Sequence, residues 1–277
     1  MIKFVTALLS SCMILFAYTD MDLDGVDDAI DKCPNTPITD LVDATGCSVR
    51  SLVSDQHFDI VMGVAYSQYN YRLNDKTDTW TTTAQIDYYN NNISLQLLTS
   101  YYSSESDDYD DSGMNDTTLA AYYQYNLTPD ITLQAGAGIV FPTYDAEYNN
   151  NDADYIGSLN LSYQTDDYTL FGGYSFTYIG DDDVTYTGSD GNTYTIEYQH
   201  VNAFNIGVGS YVSSKLYASL SYYYSDSIYD GVDAIENITC YGFYSIDDNW
   251  FATGSYAYGL SDTTSDNYFA VRIGYYF

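Results

Sequence analysis

Phe269-Ala-Val-Arg-Ile-Gly-Tyr-Tyr-Phe277 decides how the rest of the chain is read. Phe269, Val271, Ile273, Tyr275 and Phe277 fall on one face of a strand. Ala270, Arg272, Gly274 and Tyr276 fall on the other. Successive strand side chains point to opposite faces, so this segment separates an apolar medium from a polar one that tolerates a charge. The stretch stops on an aromatic residue with no polar tail after it.

Working outward, the composition fits such strands. There are 35 Tyr, 11 Phe and 2 Trp in 277 residues, with a mean hydropathy of only −0.25. A membrane-spanning helix needs roughly 20 consecutive apolar residues, and none follows residue 17. Abundant rings with little net hydropathy match alternating strands that face lipid and carry aromatic girdles. The formal net charge is −32, from 7 Lys+Arg against 39 Asp+Glu. Seven scattered cations cannot form a basic patch, which excludes nucleic acid as a partner. The acids gather in segments such as Asp107-Asp108-Tyr109-Asp110-Asp111 and Asp181-Asp182-Asp183. These read as solvated loops, with divalent cations as candidate partners.

From Gln56 onward, apolar residues recur at spacing two. The series begins with Phe58, Ile60, Met62, Val64 and Tyr66 and continues through Ile131, Leu133, Ala135, Ala137, Ile139 and Phe141. Later segments include Phe204, Ile206, Val208 and Val212, then Leu216, Ala218, Leu220, Tyr222 and Tyr224. The opposite faces carry Ser, Thr, Gln, Asn, Gly and Tyr, as in Ser158, Asn160, Ser162 and Gln164. A long, small-residue polar face suits a hydrogen-bonded lumen better than an exterior, which in soluble proteins is rich in Lys and Glu. The expected fold is therefore all-β: a transmembrane antiparallel up-and-down β-barrel of about 12 strands over residues 51–277. Short connections, such as Thr128-Pro129-Asp130 and Asp247-Asp248-Asn249, alternate with longer ones near 72–78, 103–116, 143–153, 180–194, 225–236 and 261–266. That alternation predicts short periplasmic turns and longer extracellular loops. Asp59, Asp87 and Arg272 are the charged residues expected in the lumen, with Tyr122, Tyr217 and Tyr223 as inward rings.

The final strand resembles the C-terminal recognition strand of bacterial outer-membrane β-barrels. The resemblance implies a cell outer membrane location, contact with membrane lipid and lipopolysaccharide, and engagement of the barrel assembly machinery through Phe277. Residues 1–17, with one Lys and then an apolar run, read as a secretory signal peptide. Leu9-Ser10-Ser11-Cys12 also resembles a lipobox, so plain cleavage and acylation at Cys12 are both open. Cys33 and Cys47 flank a short loop, and export puts them where disulfides persist. Cys240 stands alone in a Tyr-rich strand.

Asp20-Met-Asp22-Leu-Asp24-Gly25-Val26-Asp27-Asp28-Ala-Ile-Asp31 spaces oxygen ligands around a sharp turn at Gly25, the arrangement a hard cation such as Ca²⁺ requires. With Lys32-Cys33-Pro34 and Val42-Asp43-Ala44-Thr45-Gly46-Cys47, it resembles a thrombospondin type 3 repeat of the kind found in OmpA-type proteins. The resemblance covers residues 19–48. It implies structural Ca²⁺ held by Asp20, Asp22, Asp24, the Val26 carbonyl, Asp28 and Asp31, within a segment of residues 18–50 on the periplasmic side. Asp27 departs from the pattern, where such repeats often carry Gly.

For chemistry the sequence offers little. Only two His exist, His57 before Phe58-Asp59 and His200 before Val201-Asn202, and neither has the His-x-Ser spacing of outer-membrane lipid hydrolases. No Ser-His-Asp order or phosphate loop is present. The expectation is a non-enzyme: a porin-like passive channel for small polar solutes or cations, or a non-conducting anchoring or surface-interaction protein.

Overall fold

The structure is a computed structural model. It describes residues 40–42, 48–51, 56–69, 76–106, 110–144, 152–165, 167–188 and 190–277. The signal peptide, the six calcium ligands, Cys12, Cys33 and Cys47 lie outside the described residues. Strands β1 (Asp40–Val42) and β2 (Ser48–Ser51) form a short antiparallel pair.

The remaining strands are β3 (Gln56–Tyr69), β4 (Thr77–Asn90), β5 (Ile93–Glu105), β6 (Asp110–Met114), β7 (Thr117–Thr128), β8 (Ile131–Phe141), β9 (Asp154–Gln164) and β10 (Thr169–Tyr178). They continue with β11 (Val184–Thr187), β12 (Thr193–Ile196), β13 (Val201–Ser213), β14 (Leu216–Ser225), β15 (Ile235–Ser245), β16 (Trp250–Gly259) and β17 (Asn267–Tyr276). The β11–β12 pair is a separate hairpin between β10 and β13. The other thirteen form one sheet. Strands β6 and β7 run end to end along β5, beside Tyr101 to Glu105 and Ile93 to Leu98 respectively. They make one wall strand joined at Asn115, whose N–H donates to the Ser100 carbonyl at 2.9 Å. The wall therefore has twelve strands, each antiparallel to its sequence neighbours.

The ends of the sheet meet. β17 pairs with β3 from Asn267↔Gln68 to Tyr276↔Asp59, and Phe58 and Phe277 exchange both backbone hydrogen bonds at 2.9 Å. A closed ladder leaves no edge and satisfies the backbone without water, the condition for crossing a bilayer with strands. No helix among the described residues is long and apolar enough to cross a membrane.

The apolar series point outward. Met62 is 56% exposed and Ile206 65%, exposures that a soluble core would never leave. Along β3 the outward order is Phe58, Ile60, Met62, Val64, Tyr66: ring, aliphatic band, ring. Those eight steps span about 27 Å along the strand, enough for the ≈25 Å apolar band of such barrels once tilted. Rings pack along both rims, Phe58 on Tyr88 at 4.7 Å at one and Tyr66 on Trp80 at 5.1 Å at the other.

Three features differ from the sequence expectation. Most of the loop expected at 103–116 is strand, formed by the end of β5 with β6. The loop expected at 180–194 carries the β11–β12 hairpin. β6, DDSGM, is mostly exposed and lacks the apolar alternation that marks the wall; the hairpin does alternate, with Val184 and Tyr186 across from Ile196 and Tyr194, but each of its strands is only four residues long. Val212 falls at a register shift, where Tyr211 pairs with Tyr217 and Ser213 with Leu216, so the spacing-two series of β13 ends before it.

Candidate luminal site

The polar faces line the interior. At the end where the short turns lie, the inward positions of β3, β4, β5 and β17 bring together the charges expected there. Asp59 sits directly across from Asp87, and Asp87 from Gln96. Gln85 lies two residues before Asp87, on the same inward face.

Hydrogen bonds link these residues across three strands. Gln85 Nε2 donates to Asp87 Oδ2 at 2.7 Å, and Gln96 Nε2 donates to Asp87 Oδ1 at 2.9 Å. Arg272 Nη1 donates to Gln85 Oε1 at 3.4 Å. Arg272 must cross β3 to get there. It can do so because its cross-strand neighbour is Gly63, where an added Cβ would collide with Arg272 Cγ. The missing side chain is thus the path of the guanidinium.

Asp87 is 4% exposed and Asp59 6%. Asp87 has both oxygens bonded; Asp59 Oδ1 accepts no hydrogen bond. His57 Nε2 stands 3.8 Å from that oxygen, its ring stacked on Tyr89 at 4.5 Å. A cavity of ≈400 Å³ opens among Asp59, Gln85, Asp87, Arg272 and a set of rings that includes Tyr89, Tyr241, Phe251 and Tyr276. Phe251 packs on Tyr276 at 4.6 Å and on Phe243 at 5.3 Å. Gly274 makes room for it, since a Cβ there would fall inside the Phe251 ring.

All three charges expected in the lumen therefore line one cavity. The inward rings Tyr122 and Tyr217 lie over Gly136 and Gly209, and Tyr223 pairs across to Asn205. Gln85, Gln96, Tyr89, Tyr241, Phe243 and Phe251 were not singled out from sequence. Their signal was parity, since each occupies a position between outward residues of its strand. His200 lies apart at the opposite end of the barrel, where its Nδ1 accepts the Ile179 N–H at 3.2 Å. Cys240 is unpaired and sits across from Leu220 and Tyr256 on the outward face. Among the described residues no group of three or more His, Cys, Asp or Glu is arranged to hold a metal ion.

Beyond the wall, carboxylates bind backbone and side-chain donors. Asp226 is held below the usual carboxylate range by Asn202, whose Nδ2 and N–H donate at 2.9 and 3.0 Å. Asp247, in the turn before β16, is lowered by the N–H groups of Asn249 and Trp250. Asp190, in the β11–β12 hairpin, is lowered by Tyr194 and Asn192.

No protein-family model matches the sequence, and no curated protein matches it. Solved structures share its fold. The NanC porin is 12% identical, with a TM-score of 0.50 over 79% of this chain and 98% of that one. The translocator domain of the autotransporter NalP from Neisseria meningitidis is 12% identical, with a TM-score of 0.50 over 81% of this chain and 88% of its own. The β domain of the Bordetella autotransporter BrkA is 10% identical, with a TM-score of 0.51 over 79% and 98%. With its closed twelve-stranded wall, outward apolar band and polar interior, the chain has the outer-membrane β-barrel fold.

Proposed function

We propose that the protein is a passive channel of the outer membrane for small polar solutes and cations. The observation that carries this reading is the interior. At the short-turn end a cavity opens among rings and the polar side chains Gln85, Thr253 and Ser255, and it holds the carboxylates of Asp59 and Asp87 against the guanidinium of Arg272. With a formal net charge of −32, the protein's field draws cations toward its mouths. Planar-bilayer recording on folded, heat-modifiable protein tests it. Discrete conductance steps with cation preference are expected, and their absence would overturn the channel.

One feature favours a second reading, a non-conducting anchoring or surface-interaction protein. Phe243, Phe251, Tyr276 and Tyr89 all project inward at the short-turn end. The same recording separates the two readings.

The long loops face outside in this proposal, and the short turns and residues 18–50 face the periplasm. A tag beside Asp183 is then labelled on intact cells, and one beside Asp248 is not. Labelling at both sites would argue for a secreted protein. Residues 19–48 act as a structural calcium segment, with Cys33 and Cys47 bridged. Asp24→Ala removes a central ligand and should weaken Ca²⁺ binding in titration calorimetry of the full chain while the barrel stays heat-modifiable. Undetectable binding at millimolar Ca²⁺ would reduce the segment to an acidic spacer.

A further inference from the structure

We propose that the luminal cavity beside Asp59 binds small organic cations, an ammonium group lying against the Asp59 carboxylate and the rings around it. This rests on the channel reading and names the solute class its lumen favours.

The charges in the cavity do not cancel evenly. Asp87 and Arg272 are two ends of one bonded chain: the guanidinium donates to Gln85, and Gln85 and Gln96 donate to Asp87. Asp59 stands outside that chain. It is 6% exposed, and its Oδ1 accepts no hydrogen bond, since His57 Nε2, the nearest basic nitrogen, stands 3.8 Å away, beyond hydrogen-bond reach. A buried carboxylate oxygen without a donor is costly, and a cationic donor is what relieves the cost. Its surroundings narrow the choice of cation. Tyr276 is its direct neighbour on β17, and Tyr89, Tyr241 and Phe251 line the same space. Ring faces attract a desolvated ammonium but cannot replace the oxygen shell of a divalent metal ion. The lack of a three-ligand group among the described residues points the same way. The ≈400 Å³ volume falls within the range of small-molecule sites.

Titration calorimetry of the full, detergent-folded chain with choline chloride tests this, with sodium chloride and sodium acetate as reference titrants. Choline-dependent block of the potassium current is read in parallel. Choline should bind and the reference salts should not. Asp59→Asn should weaken choline at least about tenfold, the loss of one charge-assisted contact. Tyr276→Leu keeps the carboxylate, removes a ring, and should weaken it by about threefold. Unchanged choline binding in both variants, or equal binding of sodium acetate, would overturn the site. A barrel that conducts potassium without binding choline keeps the channel and loses the site. A barrel that binds choline without conducting keeps the site and loses the channel.

Discussion

The two ends of the barrel are held by different chemistry. At the short-turn end, rings do the packing on both faces. Phe251, Phe243 and Tyr276 cluster inside, while Trp250 meets Tyr275 at 4.8 Å and Phe58 meets Phe277 at 5.7 Å outside. The turns there are tight: Asn91 takes a left-handed φ of 52° between β4 and β5, a conformation Asn tolerates better than most residues. At the opposite end rings also pack, Tyr66 on Trp80 and Phe204 on Tyr224, but carboxylates and hydroxyls join them. Asp226 gathers Asn202, Tyr222 donates to Glu236 at 2.8 Å, and Tyr194 donates to Asp190 at 2.6 Å. The difference teaches which mouth is fixed by shape and which answers to charge. Acid and salt should loosen the second more than the first, where Asp247 is held by the N–H groups of its turn.

Changes at the ring-packed end should give the largest effects. Phe251 is 7% exposed, and Phe251→Ala should cost about 3 kcal/mol in reversible folding into lipid, the usual scale for emptying a ring site. A loss within a few tenths would show that the rings fill space without holding the mouth. Ile206→Arg, in the middle of the lipid-facing band, should cost about 2–4 kcal/mol. Ser221→Arg on the inward face should instead leave stability nearly intact and shift ion selectivity. Equal costs for the two would break the assignment of faces. Gly274→Leu should cost about 1–3 kcal/mol by driving into Phe251.

The smallest effect belongs to the charge-held end. Hydrogen bonds from Tyr194 and Asn192 depress the Asp190 carboxyl in the folded hairpin. A depressed carboxyl stabilises the fold above its unfolded pKa of about 3.9, and that stabilisation fades as pH falls through the lower folded value. Amide exchange over β11–β12 should therefore quicken below about pH 4 while the wall strands keep their protection. Exchange in the hairpin that ignores pH would remove Asp190 from the account.

The wall was legible in the sequence because lipid imposes a strict period. Phe58, Ile60, Met62 and Val64 have a single face available to them, and every residue between them must turn inward. The lip of the barrel obeys no such rule. Asp110, Asp111 and Ser112 continue a wall strand, yet they are exposed whichever way they point and read as a loop. The site was half legible for the same reason. Parity put Asp59, Asp87 and Arg272 in the lumen, but parity says nothing about height or partner.

By itself, then, the sequence determined the alternation, the apolar exterior, the polar interior and the signs of charge inside. Each is a local property of two-residue periodicity against a bilayer. Only the tertiary structure decided which inward residues meet. Arg272 reaches Gln85 across 187 positions of sequence because closure sets β17 beside β3 and Gly63 leaves the gap it crosses. That closure also leaves Asp59 Oδ1 without a donor while Asp87 has two, a distinction made by register between strands and not by the residues themselves.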